Sequence, residues 1–231
     1  MVEKKKVDVN EAPVKAKTVA KSKEERHESA MPKRIIAIVF WLLAFACEIA
    51  AILVLNKTLY VGDAQKQMIW LIGLLVADLI LVIIGSQFWK KGNDIDPASE
   101  KDKTRYFLQN QMGLIVSVIC FFPIILLLLN NKDLDKKTKK IVTAVAAVAL
   151  LVAGLFSADW NPISEEEYEK TVSNYSTTEI YWTRFGHSYH TSKDCPALSR
   201  TKSENLFHGS ITEALEAGRT DPCDFCVDQS K

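Results

Sequence analysis

Four side chains near the C-terminus carry the chemistry of a metal ligand set. Cys223 and Cys226 stand as Cys-x2-Cys in "PCDFC", and His190 and Cys195 stand as His-x4-Cys in "GHSYHTSKDC". Two thiolates at that spacing share one knuckle and can reach a single tetrahedral ion; the His-x4-Cys pair can supply the other two donors. The histidine is open to choice. His187 and His190 are three residues apart, so in a regular strand they face opposite ways and one of them binds. His190 adjoins the turn to Cys195 and is favoured, with His208 as a spare. Of the five cysteines, Cys47 and Cys120 lie alone in apolar runs, where Cys behaves as a small hydrophobe. The remaining three would leave one thiol over in a disulfide framework, whereas a site of three cysteines and one histidine has no remainder. A thioredoxin-type pair would open a helix in a βαβ unit, but here the pair follows a helix and a turn. A Cys–His nucleophile would need a third, orienting group, and none can be argued. The expected site is therefore structural Zn2+ on His190, Cys195, Cys223 and Cys226, with no catalytic residue, in a compartment that keeps thiols reduced.

These ligands need a scaffold. From Ile180 the chain alternates β-branched and aromatic residues, "IYWTRFGHSYH", which predicts a hairpin turning at Arg184-Phe185-Gly186 with its second strand ending at His190. "SITEALEAG" predicts a helix with Ser210 as N-cap, Glu213 closing a capping box, Leu215 on the apolar face and Gly218 as the stop. A module of about fifty residues, 180–231, buries too little core to stand alone, and a metal supplies what is missing. Its expected class is small α+β, a β-hairpin and one helix.

The preceding chain is of another kind. Of 231 residues 48% are hydrophobic and 25% charged, and the two classes fall in separate blocks. Four apolar runs, 35–55, 69–89, 112–129 and 141–158, each match the roughly 20 residues that a helix needs to cross about 30 Å of hydrocarbon. The expected architecture is membrane all-α, a four-helix transmembrane bundle over 35–158. The first run lies behind a long charged tail and lacks a small-x-small cleavage pattern, so it reads as a signal anchor, not a cleaved signal peptide. Trp70, Trp89 and Trp160 near span ends fit interfacial anchors. Pro123 should kink the third span. Ala149, Ala153 and Ser157 form a small-x-x-x-small row on which a neighbouring helix can pack closely.

Flanking segments follow from charge. Residues 1–34 hold ten Lys/Arg against six Asp/Glu with few large apolar residues, predicting a disordered basic tail. Residues 159–179 read as an acidic linker, with "SEEE" at Ser164 as a helix start. From residue 158 onward there are seven Lys/Arg against thirteen Asp/Glu, which argues against nucleic acid as a partner. The basic tail and the five Lys/Arg of the second loop place both termini in the cytoplasm, although the third loop carries five lysines of its own. Glu48 and Asp78 interrupt the first two spans; charge at that depth costs on the order of 3 kcal/mol. No Lys, Arg or His lies in any span to pair with them. They either tie adjacent helices together or mark an ion path.

The run "YWTRFGHSYHTSKDCPALSRTKS" followed by "GSITEALEAGRTDPCDFC" resembles a small metal-binding module found at the C-termini of assorted bacterial proteins. That module is similar to the zinc module of Ada-type DNA-repair proteins. The chain as a whole, through "NDIDPASEKDKTRYFLQNQMG" and "NNKDLDKKTKKI", resembles an uncharacterised family of bacterial multi-pass membrane proteins. The resemblance implies His190, Cys195, Cys223 and Cys226 as ligands. The Ada-type site uses four cysteines, one of them reactive, and the histidine here departs from that chemistry. The expected protein lies in the bacterial inner (plasma) membrane and anchors a cytosolic zinc module for interaction or sensing, its partners the bilayer and a protein. The alternatives are a small transporter or channel using Glu48 and Asp78, or a membrane-tethered thiol enzyme.

Overall fold

A computed structural model describes residues 21–227. Residues 31–90 and 104–161 form one compact unit; residues 21–30, 91–103 and 162–227 form the other.

The first unit is helical. Helices α1 (Lys23–Leu55), α2 (Ala64–Ile95), α4 (Met112–Asn130) and α5 (Lys136–Ser157) contain or overlap the four apolar runs, and a short α3 (Lys103–Asn110) leads into α4. Among the described residues these four helices are long and apolar enough to cross a membrane. Their inward faces carry Ala44, Ala51, Leu71, Leu75, Cys120, Phe121, Ile124, Ala146 and Ala153, all buried, while Leu42, Ile49, Ile80, Leu151 and Leu155 point outward. This inversion of the usual pattern suits a lipid surround, which makes no demand for a polar exterior.

Small residues set the helix spacing. Ala149, Ala153 and Ser157 are buried, as is Ala146 one turn earlier. A Cβ added at Gly113 of α4 would lie 2.7 Å from the Ser157 carbonyl oxygen and 2.7 Å from Ser86 Oγ, so only glycine lets the three helices meet there. α4 runs through Pro123 without interruption. Asp135 caps α5, accepting from the N–H groups of Lys137 and Thr138 at 3.0 Å each. Trp70 and Trp160 are exposed. Trp89 is instead partly buried: its ring lies 5.3 Å from that of Trp41, and its Nε1 donates to the Gln109 carbonyl at 2.7 Å.

The second unit is larger than the 180–231 expected. Helix α6 (Glu165–Tyr175) is followed by a four-stranded sheet: β1 (Ile180–Thr183), β2 (Ser188–His190), β3 (Leu206–Gly209) and β4 (Asp221–Pro222), in the order β3-β1-β2-β4. The anticipated hairpin, β1 with β2, is the central pair; β3 joins β1 antiparallel and β4 joins β2 in parallel. Two 3-10 turns, Pro196–Leu198 and Ser203–Asn205, cross between strands. Helix α7 (Ile211–Glu216) has its capping box from Ser210 and Glu213 and ends at Gly218, whose φ of +75° suits glycine.

Two expectations need correction here. The segment 159–179 is not a bare linker: Ile163, Tyr168 and Val172 pack into one core with Ile180, Trp182, Tyr189, Ile211 and Leu215. Tyr168, Val172 and Tyr175 recur at four and three residues, which is a helix face. The tail is not disordered as far as Arg34, because α1 begins at Lys23. Ser22 and Glu25 form a reciprocal cap: Ser22 Oγ accepts from Glu25 N at 3.2 Å and Glu25 Oε2 accepts from Ser22 N at 2.9 Å. Arg26 is then buried, 5.0 Å above the Tyr168 ring with Nη2 3.3 Å from Glu165 Oε1. The rest of the tail expectation, on residues 1–20, falls outside the described residues.

Candidate metal centre

Local pairing brings the four ligands together. His190 is the last residue of β2. The next turn carries Cys195, which starts a 3-10 turn by accepting from Leu198 N at 2.9 Å. On the other side β4 runs parallel to β2, with Tyr189 opposite Pro222, and Cys223 N extends the pairing by donating to the Tyr189 carbonyl at 3.1 Å. Cys223 is thereby seated beside His190. The chain then closes a tight turn, Val227 N to Cys223 O at 3.0 Å, which returns Cys226 to the same point. Thr191 Oγ1 donates to the Cys226 carbonyl and fastens the knuckle to the end of β2.

The donor atoms of His190, Cys195, Cys223 and Cys226 all lie within 4.8 Å of one another. Cys195 Sγ is 3.7 Å from Cys223 Sγ, and His190 Nδ1 is 3.7 Å from Cys226 Sγ. A tetrahedral ion with metal–sulfur bonds of about 2.3 Å and metal–nitrogen bonds of about 2.0 Å puts its ligand atoms roughly 3.5–3.8 Å apart. A disulfide would need about 2.05 Å; all five cysteines are free thiols. These two edges thus fit a metal cage, with Nδ1 the ring nitrogen that faces Cys226.

Burial and hydrogen bonding prepare these groups unequally. His190, Cys195 and Cys223 are buried and Cys226 is half-buried. Burial lowers the pKa of His190, favouring the neutral imidazole that a metal needs. Burial pushes the Cys195 thiol up to about 11, against the pull of the Ala197 backbone N–H. At Cys226 burial also works against the thiolate, but the Cys195 and Cys223 thiols and the N–H groups of Thr191 and Ser192 outweigh it and lower the pKa. Cys226 is thus more easily deprotonated than Cys195, whose deprotonation needs the ion itself.

The other histidines lie elsewhere. His208 Nδ1 is 2.6 Å from Glu179 Oε1, and Tyr181 OH donates to the other oxygen of that carboxylate at 2.8 Å. Tyr181 pairs across the sheet with both His190 and His208, so the three side chains form one row on the face opposite Trp182 and Tyr189. His187 precedes β2 and is not among the clustered groups. The amide-to-sulfur bonds at Cys226 and the parallel β4 pairing go beyond what the sequence predicts. The N–H donors leave no signal there, because any residue but proline supplies one.

No family model, curated protein or solved structure matches the chain. Function is therefore read from the cluster and from the four long apolar helices.

Proposed function

We propose that the chain is a multi-pass protein of the bacterial inner membrane whose four-helix domain anchors a zinc-stabilised module used for interaction or sensing. The observation that carries this reading is the four-atom cluster, with 3.7 Å edges and all members within 4.8 Å. Three thiolates and one imidazole in a tetrahedral arrangement suit zinc among the common divalent ions. Four protein donors close the coordination shell and leave no open position for substrate, which argues for a structural role. Both termini are assigned to the cytoplasm, where the thiols stay reduced.

The knuckle offers a surface for a protein partner. Phe225 stands between Cys223 and Cys226 and is 72% exposed, an apolar side chain held outward by the turn that brings the ligands together. Such an anchor would form only when the metal shapes the knuckle, which ties recognition to metal occupancy.

Elemental analysis of the full chain, purified in detergent under reducing conditions, tests the reading. One zinc per chain is expected, falling to a small fraction in Cys223→Ser. A metal-free wild-type protein whose module keeps its amide-exchange protection in the presence of a chelator would overturn it.

A further inference from the structure

The helical unit holds a second feature that the metal centre leaves unexplained. α1 and α2 are antiparallel, and contacts at both ends fix their register. A Cβ at Gly85 would meet the Trp41 ring, and Phe40 stacks on Phe88 at 6.0 Å. Toward the other end, Gln67 Nε2 donates to the Val54 carbonyl at 2.9 Å. Between these contacts Glu48 and Asp78 fall opposite each other, each on the buried face of its helix.

Glu48 is 7% exposed and Asp78 1%. Glu48 Oε1 and both carboxyl oxygens of Asp78 have neither solvent nor a hydrogen-bond partner. The two carboxyls interact electrostatically. The other titratable groups that feel them are Cys47 on α1 and Cys120 on α4. α5 presents Val142, Ala146, Ala149 and Ala153 to the core, none of them titratable. No Lys, Arg or His lies in any span, and among the described residues no cation pairs with either carboxyl. Two bare carboxylates in a low-dielectric bundle repel each other and lose their hydration together, and one bound positive charge ends the repulsion and lowers that cost. Two carboxyls also supply too few oxygens for calcium or magnesium, which take six or more.

We propose that Glu48 and Asp78 form a buried proton-binding site, an electrostatically coupled carboxyl pair that takes up an exchangeable proton between α1 and α2. The pair titrates as a unit, so altering either member changes the protonation of the other. This site does not depend on the metal centre, and the two readings fail separately.

The test is labelling of the full chain in lipid nanodiscs with dicyclohexylcarbodiimide, read by peptide mass spectrometry. The carboxyl proton passes to a carbodiimide nitrogen and the carboxylate oxygen bonds to the central carbon. An acyl shift to nitrogen then leaves a stable N-acylurea, with no leaving group. An adduct on Glu48 or Asp78 is expected, falling about tenfold per pH unit above the midpoint of the pair. In Asp78→Asn the midpoint at Glu48 should move; Glu48→Gln gives the reciprocal measurement if the first variant fails to fold. Absence of adduct at both residues, while a water-soluble carbodiimide labels loop carboxyls, would overturn the proposal. So would an unmoved midpoint in both variants, or suppression by sodium or potassium at constant pH, which would make the occupant a metal cation.

Discussion

The two units of this protein close their cores by opposite means. The helical unit is built from long apolar helices whose outward faces also carry large apolar residues, and close approach comes from Gly113, Ala146, Ala149, Ala153 and Ser157. These helices are long and apolar enough to cross a membrane, and in lipid packing and shape do the discriminating. The metal-binding unit has short strands, a two-turn helix α7 and a core of modest size around Trp182, Tyr189 and Ile211. Its loops converge on four side chains that could hold a metal ion, and in the proposed reading the bond energy of that ion stands where a larger core would otherwise be. Stability in one unit is spread along helices; in the other it is concentrated at one point.

The sharpest way to break that contrast is to remove the point. Structural zinc contributes on the order of 10–16 kcal/mol in small metal-folded domains, as much as the whole net stability of a typical domain, roughly 5–15 kcal/mol. Chelation or Cys223→Ser should therefore unfold the sheet unit and leave the helical unit folded. Hydrogen exchange should show protection lost across β1, β2 and α7 but retained in α4 and α5. Acid should act the same way. Metal binding needs Cys195 as thiolate although its free thiol titrates at about 11, so protons compete with the ion and affinity falls as pH falls. A zinc-release titration from pH 8 to pH 5 measures it, with release expected as the pH drops.

The complementary break is in the helices. Gly113→Val places side-chain atoms against the Ser157 carbonyl and Ser86, and an overpacked site costs about 2 kcal/mol. Thermal unfolding of the purified protein should show a lower transition for the helical unit, with metal content unchanged. The ligand assignment is sharpened by comparing histidines. His190→Ala should abolish stoichiometric metal at pH 7, whereas His208→Ala should keep it and lose about 1 kcal/mol with the bond to Glu179. The smallest effect belongs to Ser22→Ala, which removes the cap of α1 at a cost of about 1 kcal/mol. Exchange should then quicken in the first turn of α1 alone.

Several features are legible in the amino-acid order because they depend on neighbours in the chain. Apolar runs of span length predict α1, α2, α4 and α5, since a helix satisfies its own backbone and needs no distant partner to declare itself. Cys-x2-Cys, the hairpin from Ile180 and the capping box at Ser210 are likewise local patterns. Charge and composition are blunter guides to domain boundaries. They assign residues 22–34 to the tail and 159–179 to a linker; the Ser22–Glu25 cap starts a helix in the first, and the helix start read at Ser164 opens α6, whose Tyr168–Val172–Tyr175 face packs into the core, in the second. Other features have no local signature. Local spacing favours His190, but its meeting with Cys223 depends on the parallel pairing of β4 with β2, which carries Cys223 to the end of the strand that bears His190. That Glu48 faces Asp78 depends on the register of two helices, set by Gly85 against Trp41 at one end and Gln67 against Val54 at the other. The sequence by itself determined the kinds of element and the kinds of ligand, because periodicity and spacing are properties of a short stretch. Only the tertiary structure decided which of those groups meet, because a meeting is set by packing between segments far apart in the chain.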